Sequence, residues 1–170
     1  SLITGAPTIT TAASATSNVG NYTITSAANN LSATNYQFNY VNGSLAITKA
    51  TLTVTANDQS KVYGNTNPSL TYTITGYKNS NTSSVVTGSA TVSTTATTTS
   101  NVGSYTITSA ANNLSATNYQ FSYANGSLTI TQAPLTITGA TTSVTYNGSA
   151  QTNNTATITG KKGTDVITIS

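Results

Sequence analysis

Asp58 and Asp165 are the only carboxylates in this 170-residue chain, which has no histidine and no cysteine. Those absences decide most of the chemistry. A Ser-His or Cys-His nucleophile pair cannot be assembled, and the usual zinc ligands are missing. Hydrolysis by paired carboxylates needs two acids in one cleft, whereas Asp58 and Asp165 fall in different repeats of the chain. Calcium takes about six to eight oxygen ligands, and Asp58 with Asn57 and nearby carbonyls makes a poor start. A self-made Lys-Asn amide needs a buried lysine, an asparagine and a neighbouring acid. Lys61 and Asp58 supply two of these parts, but an exposed strand end is the plainer place for both. The expectation is a protein without catalytic residues, cofactor or metal, and not an enzyme.

Other residue types invite a ligand and are better read as structure. Asn-X-Ser/Thr triplets begin at Asn21, Asn30, Asn42, Asn81, Asn113, Asn125, Asn147 and Asn153, as chance provides in a chain this rich in those residues. The Thr faces permit O-glycosylation without specifying it. Tyr36, Phe38 and Tyr40 alternate as a core face does, so they are read as packing and not as sugar platforms. Tyr77 and Lys78, after Gly76, are the better candidates for an exposed contact, although a solvated loop is the plainer reading there too.

The elements that carry these residues are written twice. Residues 17–48 read SNVGNYTITSAANNLSATNYQFNYVNGSLAIT, and residues 100–131 read SNVGSYTITSAANNLSATNYQFSYANGSLTIT. The copies stand about 83 residues apart, a period that suits an array of small domains better than a helical solenoid. They differ at four positions, Asn21/Ser104, Asn39/Ser122, Val41/Ala124 and Ala46/Thr129. The likeness fades outward without stopping, pairing Gly5 with Gly88, Leu52 with Leu135 and Tyr63 with Tyr146. This frame divides the chain into residues 1–49, the C-terminal part of a repeat; residues 50–133, one complete repeat; and residues 134–170, the N-terminal part of a related repeat. Ser1 and Ser170 respect no repeat boundary, so an interior piece of something longer is expected, with no signal segment and no run able to span a bilayer.

Period-two alternation runs through Leu52-Thr53-Val54-Thr55, Leu70-Thr71-Tyr72-Thr73-Ile74-Thr75, Tyr105-Thr106-Ile107-Thr108 and Leu128-Thr129-Ile130-Thr131. Each puts apolar residues on one face and β-branched Thr on the other, the pattern of a half-buried strand. Asn125-Gly126, and Asn42-Gly43 in the first copy, predict two-residue hairpins, which would set Tyr119, Phe121 and Tyr123 across from Leu128 and Ile130. Residues 109–115 and 79–86 predict turns, the second opened by an Asn or Ser cap. The fold expected is all-β: small modules, sandwich-like or β-grasp-like, joined end to end into a rod by links of about three residues.

Composition agrees with a folded, uncharged surface. Only 4% of residues are charged and 36% are apolar or aromatic, while roughly half are Thr, Ser or Asn. Disorder usually comes with high charge instead. Five Lys against two acids give +3, but with no Arg and no basic cluster beyond Lys161-Lys162 there is no nucleic-acid footprint. The absence of Cys and Met leaves nothing easily oxidised, which suits an extracellular life.

The run ATLTVTANDQSKVYG at residues 50–64, then NPSLTYTITG, VGSYTIT and NYQFSYANGSLTIT in order, resembles the MBG repeat of the YGX type, whose naming motif is carried by Val62, Tyr63 and Gly64. The trailing Tyr146, Asn147 and Gly148 look more like related repeats with a Tyr-Asp-Gly motif. Such repeats occur in tandem arrays of large secreted or surface-attached bacterial adhesins. The resemblance therefore implies an extracellular or cell-surface stalk that spaces an adhesive region from the cell, with neighbouring repeats as partners and no catalytic residues. Two alternatives stand beside it. One is a self-assembling filament or sheath of like chains packed laterally through uncharged Thr and Asn faces. The other, weaker, is multivalent low-affinity glycan binding.

Overall fold

The computed structural model describes residues 2–152 and 155–167; the triplet at Asn153 and the termini Ser1 and Ser170 lie outside the described residues. The leading repeat forms β1 (Ile3–Thr4), β2 (Thr8–Thr11), β3 (Gly20–Ala27), β4 (Ser32–Ala33) and β5 (Gly43–Ile47). The central repeat forms β6 (Ala50–Ala56), β7 (Gln59–Val62), β8 (Tyr72–Thr75), a 3₁₀ turn at Ser83–Val85, β9 (Thr91–Thr94), β10 (Gly103–Ala110), β11 (Tyr119–Ala124) and β12 (Gly126–Thr131). The trailing repeat adds β13 (Thr136–Gly139) and β14 (Ala156–Thr159). The all-β class is as expected. That 3₁₀ turn is the only helical piece among the described residues, so the helix of a β-grasp has no counterpart there. Thr82 caps it without a side-chain bond, in place of the expected Asn or Ser cap.

The chain forms two compact units, each crossing a repeat boundary. One gathers Ser1–Val54, Ile74–Thr91 and Ala111–Tyr123. It holds the sheet β2-β3-β5, the pair β1-β4 and most of the sheet β11-β6-β8. Leu52, Val54 and Tyr119 are its large buried side chains. Beside β6, Gln120 donates to Thr51 Oγ1 (3.0 Å) and Ser122 to Thr53 Oγ1 (3.2 Å), so the two strands climb in step.

The other unit gathers Thr55–Thr73, Val92–Ala110 and Ala124–Ser170. Its main sheet runs β7-β12-β10-β9, with β10 antiparallel and β7 parallel to β12. Ala56, Ala96, Ile107, Leu128 and Ile130 form the core, with Tyr63, Leu70, Val92 and Tyr105 packed against it. The alternation read from the sequence places Leu128 and Ile130 inside and Thr129 and Thr131 outside. Each buried Leu or Ile contributes about 1.5–3 kcal/mol.

The hairpin reading is corrected. β11 pairs with β6 while β12 pairs with β10 and β7, so Asn125 and Gly126 carry the chain from one sheet to another. The reason lies in long-range partners, not local φ. Asn125 Oδ1 accepts from the Ser109 N–H at 3.1 Å, and a Cβ on Gly126 would fall 2.4 Å from the Ala56 carbonyl oxygen. Asn42 repeats the device, accepting from the Ser26 N–H at 3.2 Å, and Gly43 opens β5, which pairs with β3. The aromatic face moves with this change: Tyr119, Phe121 and Tyr123 sit in the sheet of β6 and not opposite Leu128 on a shared hairpin.

The core reading of Tyr36, Phe38 and Tyr40 is corrected in part. Tyr36 is 61% exposed whereas its counterpart Tyr119 is 3% exposed, and residues 36–42 form no strand. Phe38 and Tyr40 are half-buried against each other, ring centres 6.4 Å apart. The expected exposed contact at Tyr77 also fails, because its ring packs edge-on to Tyr119 at 6.2 Å. Its hydroxyl is buried with no hydrogen-bond partner among the described residues, and that burial, with Tyr119 beside it, raises the phenol above its ordinary pKa.

Tyr77 and Tyr119 give opposite expectations. The Tyr119 hydroxyl accepts from Lys78 N (3.0 Å) and Asn81 Nδ2 (2.9 Å). Tyr119→Phe should therefore cost about 1–2 kcal/mol by leaving two part-buried donors without their acceptor, while Tyr77→Phe should be neutral or stabilising by about 1 kcal/mol. Denaturant titration of the two variants checks both signs.

Candidate functional site at the tyrosine-glycine turn

No cluster of three or more His, Cys, Asp or Glu occurs among the described residues, and the side chains considered for chemistry are held in structural bonds. Asp58 Oδ1 accepts from the Ser127 N–H at 2.7 Å, fixing the start of β12. Beside it Asn57 donates to Thr71 Oγ1 (2.9 Å) and accepts from Thr73 (2.8 Å). These two residues make the corner where β6 ends and β7 begins, so their oxygens serve the fold. Lys61 is buried on β7, contrary to the exposed strand end expected for it. Its Nζ donates to the carbonyls of Thr97 (2.6 Å) and Asn65 (3.1 Å), which take the place of a carboxylate partner.

The motif residues form a joint within the second unit. Val62 ends β7 and its carbonyl accepts from the Asn65 N–H at 3.1 Å, closing a turn over Tyr63 and Gly64. The trailing repeat sends a loop, residues 162–165, onto this turn. Tyr63 donates to Asp165 Oδ1 at 3.0 Å, and Lys162 Nζ donates to Asn65 Oδ1 at 3.3 Å. Gly64 has φ +78°, and a Cβ there would lie 2.4 Å from the Lys162 Cβ. Glycine is thus required twice, by the backbone and by the neighbour. The bond to Asp165, then burial, then the carboxylate's charge hold the Tyr63 phenol above its ordinary 10.0.

The second motif has the turn without the joint. Tyr146 is 92% exposed. Asn147 Oδ1 accepts from the Ser149 N–H at 3.1 Å, and Gly148 has φ +76° but no neighbouring atom within 4 Å of where a Cβ would sit. The motif therefore sets the local turn in both places and engages a neighbour in one.

The first unit contains the corresponding joint, and sequence reasoning did not find it. Its loop is residues 78–81, with the Asn81 N–H donating to Lys78 O at 2.9 Å, as Asp165 N–H donates to Lys162 O at 3.2 Å. Asn79 and Gly163 share φ +53°. Asn79 Nδ2 reaches back to the Ala15 carbonyl at 2.9 Å. Asn118 adds two bonds to the leading repeat, donating to Asn18 Oδ1 (2.8 Å) and accepting from the Val19 N–H (2.9 Å). An open cleft of about 400 Å³ along this joint has Lys78 as its only charged lining residue. The signal was present: TITG at 73–76 and at 157–160 precedes both loops, masked by the extra residue at Asn147.

Small β-modules, short links and side-chain fasteners at each boundary define a tandem β-repeat protein. The chain belongs to the MBG domain family, YGX type, whose model matches residues 2–46 and 52–129. This is a family of generally non-catalytic repeats found in bacterial surface proteins. No curated protein and no solved structure matches the chain significantly.

Gly64→Ala should cost about 1–3 kcal/mol and free residues 162–165, whereas Gly148→Ala should cost about 1 kcal/mol from its φ alone. Thermal unfolding with amide hydrogen exchange across that loop separates the two. For Tyr63 the raised pKa means that its stabilising contribution is full below 10.0 and is lost as pH rises through the raised value. Asp165→Asn should bring the Tyr63 titration, followed by NMR of labelled tyrosine, back toward 10.0.

Proposed function

We propose that this chain is a stalk segment of a large bacterial surface adhesin, adding length and stiffness between the cell and an adhesive region elsewhere in the parent protein. The observation that carries this reading is the repeated joint. Asn79 holds the leading repeat in one unit, and the loop at 162–165 holds the tyrosine-glycine turn in the other. The links support it: only Thr48 and Lys49 separate β5 from β6, and four residues, Gln132, Ala133, Pro134 and Leu135, separate β12 from β13. Links this short leave little hinge freedom. Near-identical copies then have a mechanical use, since duplication lengthens a rod without disturbing a site.

Small-angle scattering on chains carrying one, two and three added copies of residues 50–133 tests the proposal. The maximum dimension should grow by a constant increment per copy at constant cross-section. Growth in all directions, as a compact particle shows, would sink the stalk reading.

A further inference from the structure

The two sides of the four-stranded sheet in the second unit end differently. On one side β7 adds in parallel to β12; on the other, β9 has β10 beside it and no further strand among the described residues. β9, β10 and the loops at both ends of β9 belong to the complete repeat, residues 50–133. The corresponding strand of the first unit, β2, also ends its sheet, with β3 alone beside it. The first unit contains residues 50–54, 74–91 and 111–123 of the repeat, and the second contains residues 55–73, 92–110 and 124–133. Every part of the repeat is therefore present in one setting or the other, and in neither does any of them add a strand to this edge.

The devices that usually close such an edge are absent from it. Residues 79–160 contain no Asp, Glu, Lys or Arg, and residues 69–133 contain no proline, whereas natural edges are commonly guarded by charge or proline. β9 reads Thr91-Val92-Ser93-Thr94, β-branched at three of its four positions. Val92 turns inward and is half-buried against the core that holds Ile107, Leu128 and Ile130. Thr91 and Ser93 are exposed on the outer face. That face continues across the sheet as hydroxyls, with Ser104, Thr129 and Ser60 in one row over β10, β12 and β7.

We infer that β9 pairs edge to edge with β9 of a second copy of this chain, antiparallel about a two-fold axis at Val92. Parity and chemistry fix the register. Residues directly opposite in an antiparallel pair lie on the same face of the sheet, so an inward residue faces an inward one. Centring the pair on Val92 sets it against the partner's Val92 on the core side and Thr91 against the partner's Ser93 on the outer side. Centring it on Ser93 would instead set Val92 against the partner's Thr94 and lose the apolar pair. Main-chain hydrogen bonds supply the attraction and alternate side chains the register. A second copy suits this edge because the edge complements itself: like meets like with no charge to oppose, and the contact closes as a symmetric pair. One four-residue edge makes a weak contact, but an array presents it once per repeat, so side-by-side pairing of arrays gains strength by number. This lateral pairing goes beyond the stalk reading and holds whether or not the array serves as a stalk.

The test uses the absence of native cysteine. Thr91→Cys and Ser93→Cys chains, one of them mass-labelled, are mixed at high concentration under a mild oxidant. Opposed Cα atoms in the proposed register stand about 4.5–5.5 Å apart, while two copies of the same position are offset along the strands beyond the roughly 7 Å that a disulfide can bridge. The mixed disulfide should therefore exceed either self-product by about tenfold. Statistical proportions would overturn the inference, and they are the result expected if the edge serves an unrelated extended peptide. Charge then checks the register at the same two exposed positions. Ser93→Lys in the Thr91→Cys chain and Thr91→Lys in the Ser93→Cys chain set two lysines opposite each other, which should return the products to statistical proportions. Thr91→Glu in place of Thr91→Lys should restore the excess, with circular dichroism unchanged throughout. An excess indifferent to the sign of these charges would overturn the register.

Discussion

Everything in this structure depends on one constraint: neither half of a repeat can bury its own apolar face. In the second unit Leu128 and Ile130 come from the back half and Ala56, Tyr63 and Leu70 from the front. Remove either and a two-sided strand becomes an amphipathic ribbon with one dry side facing water. Repeat proteins generally share this property, since each unit is completed by another. The chain carries its own control, because residues 36–41 and 119–124 are close to identical and only the second set is a strand. Two substitutions separate them, Asn39/Ser122 and Val41/Ala124, and the second even favours the wrong outcome, with β-branched Val41 in the irregular copy and Ala124 in the strand. Pairing with β6, and not intrinsic propensity, makes β11.

Compact units follow the same logic. Each unit crosses a repeat boundary and contains one joint, so the repeat of the sequence and the unit of packing are out of phase by half a period. Force applied along such a chain meets a fastened boundary inside every packed body. Asn118 illustrates the economy of the arrangement, since one amide both accepts and donates across the first boundary.

The period-two pattern made strands legible, and Leu52, Val54, Ile107, Leu128 and Ile130 are buried where alternation put them. What alternation could not give was partners. Asn125-Gly126 looks like a turn from its local demands, yet its asparagine serves a strand end and its glycine makes room for the Ala56 carbonyl. Tyr77 looked exposed because it follows a glycine turn, but the ring it packs on lies 42 residues away in sequence, at Tyr119. The motif around Tyr63 was visible by resemblance, while the loop that meets it was hidden by a single inserted residue. In each case the missing information was long-range, and a sequence periodicity of two carries none of it.

The fasteners that the two near-identical copies share are amides, hydroxyls and backbone groups. Asn30 and Asn113 accept from the backbone of Ala6 and Ser89, Ser17 and Ser100 from Ser14 and Thr97, and the carbonyls of Asn18 and Asn101 from Tyr22 and Tyr105. None of these contacts uses a formal charge for salt to screen. Salt that screens Asp165 and Lys162 at the joint leaves these neutral contacts as they are, so ionic strength can act on a boundary between repeats without acting on the fasteners within them.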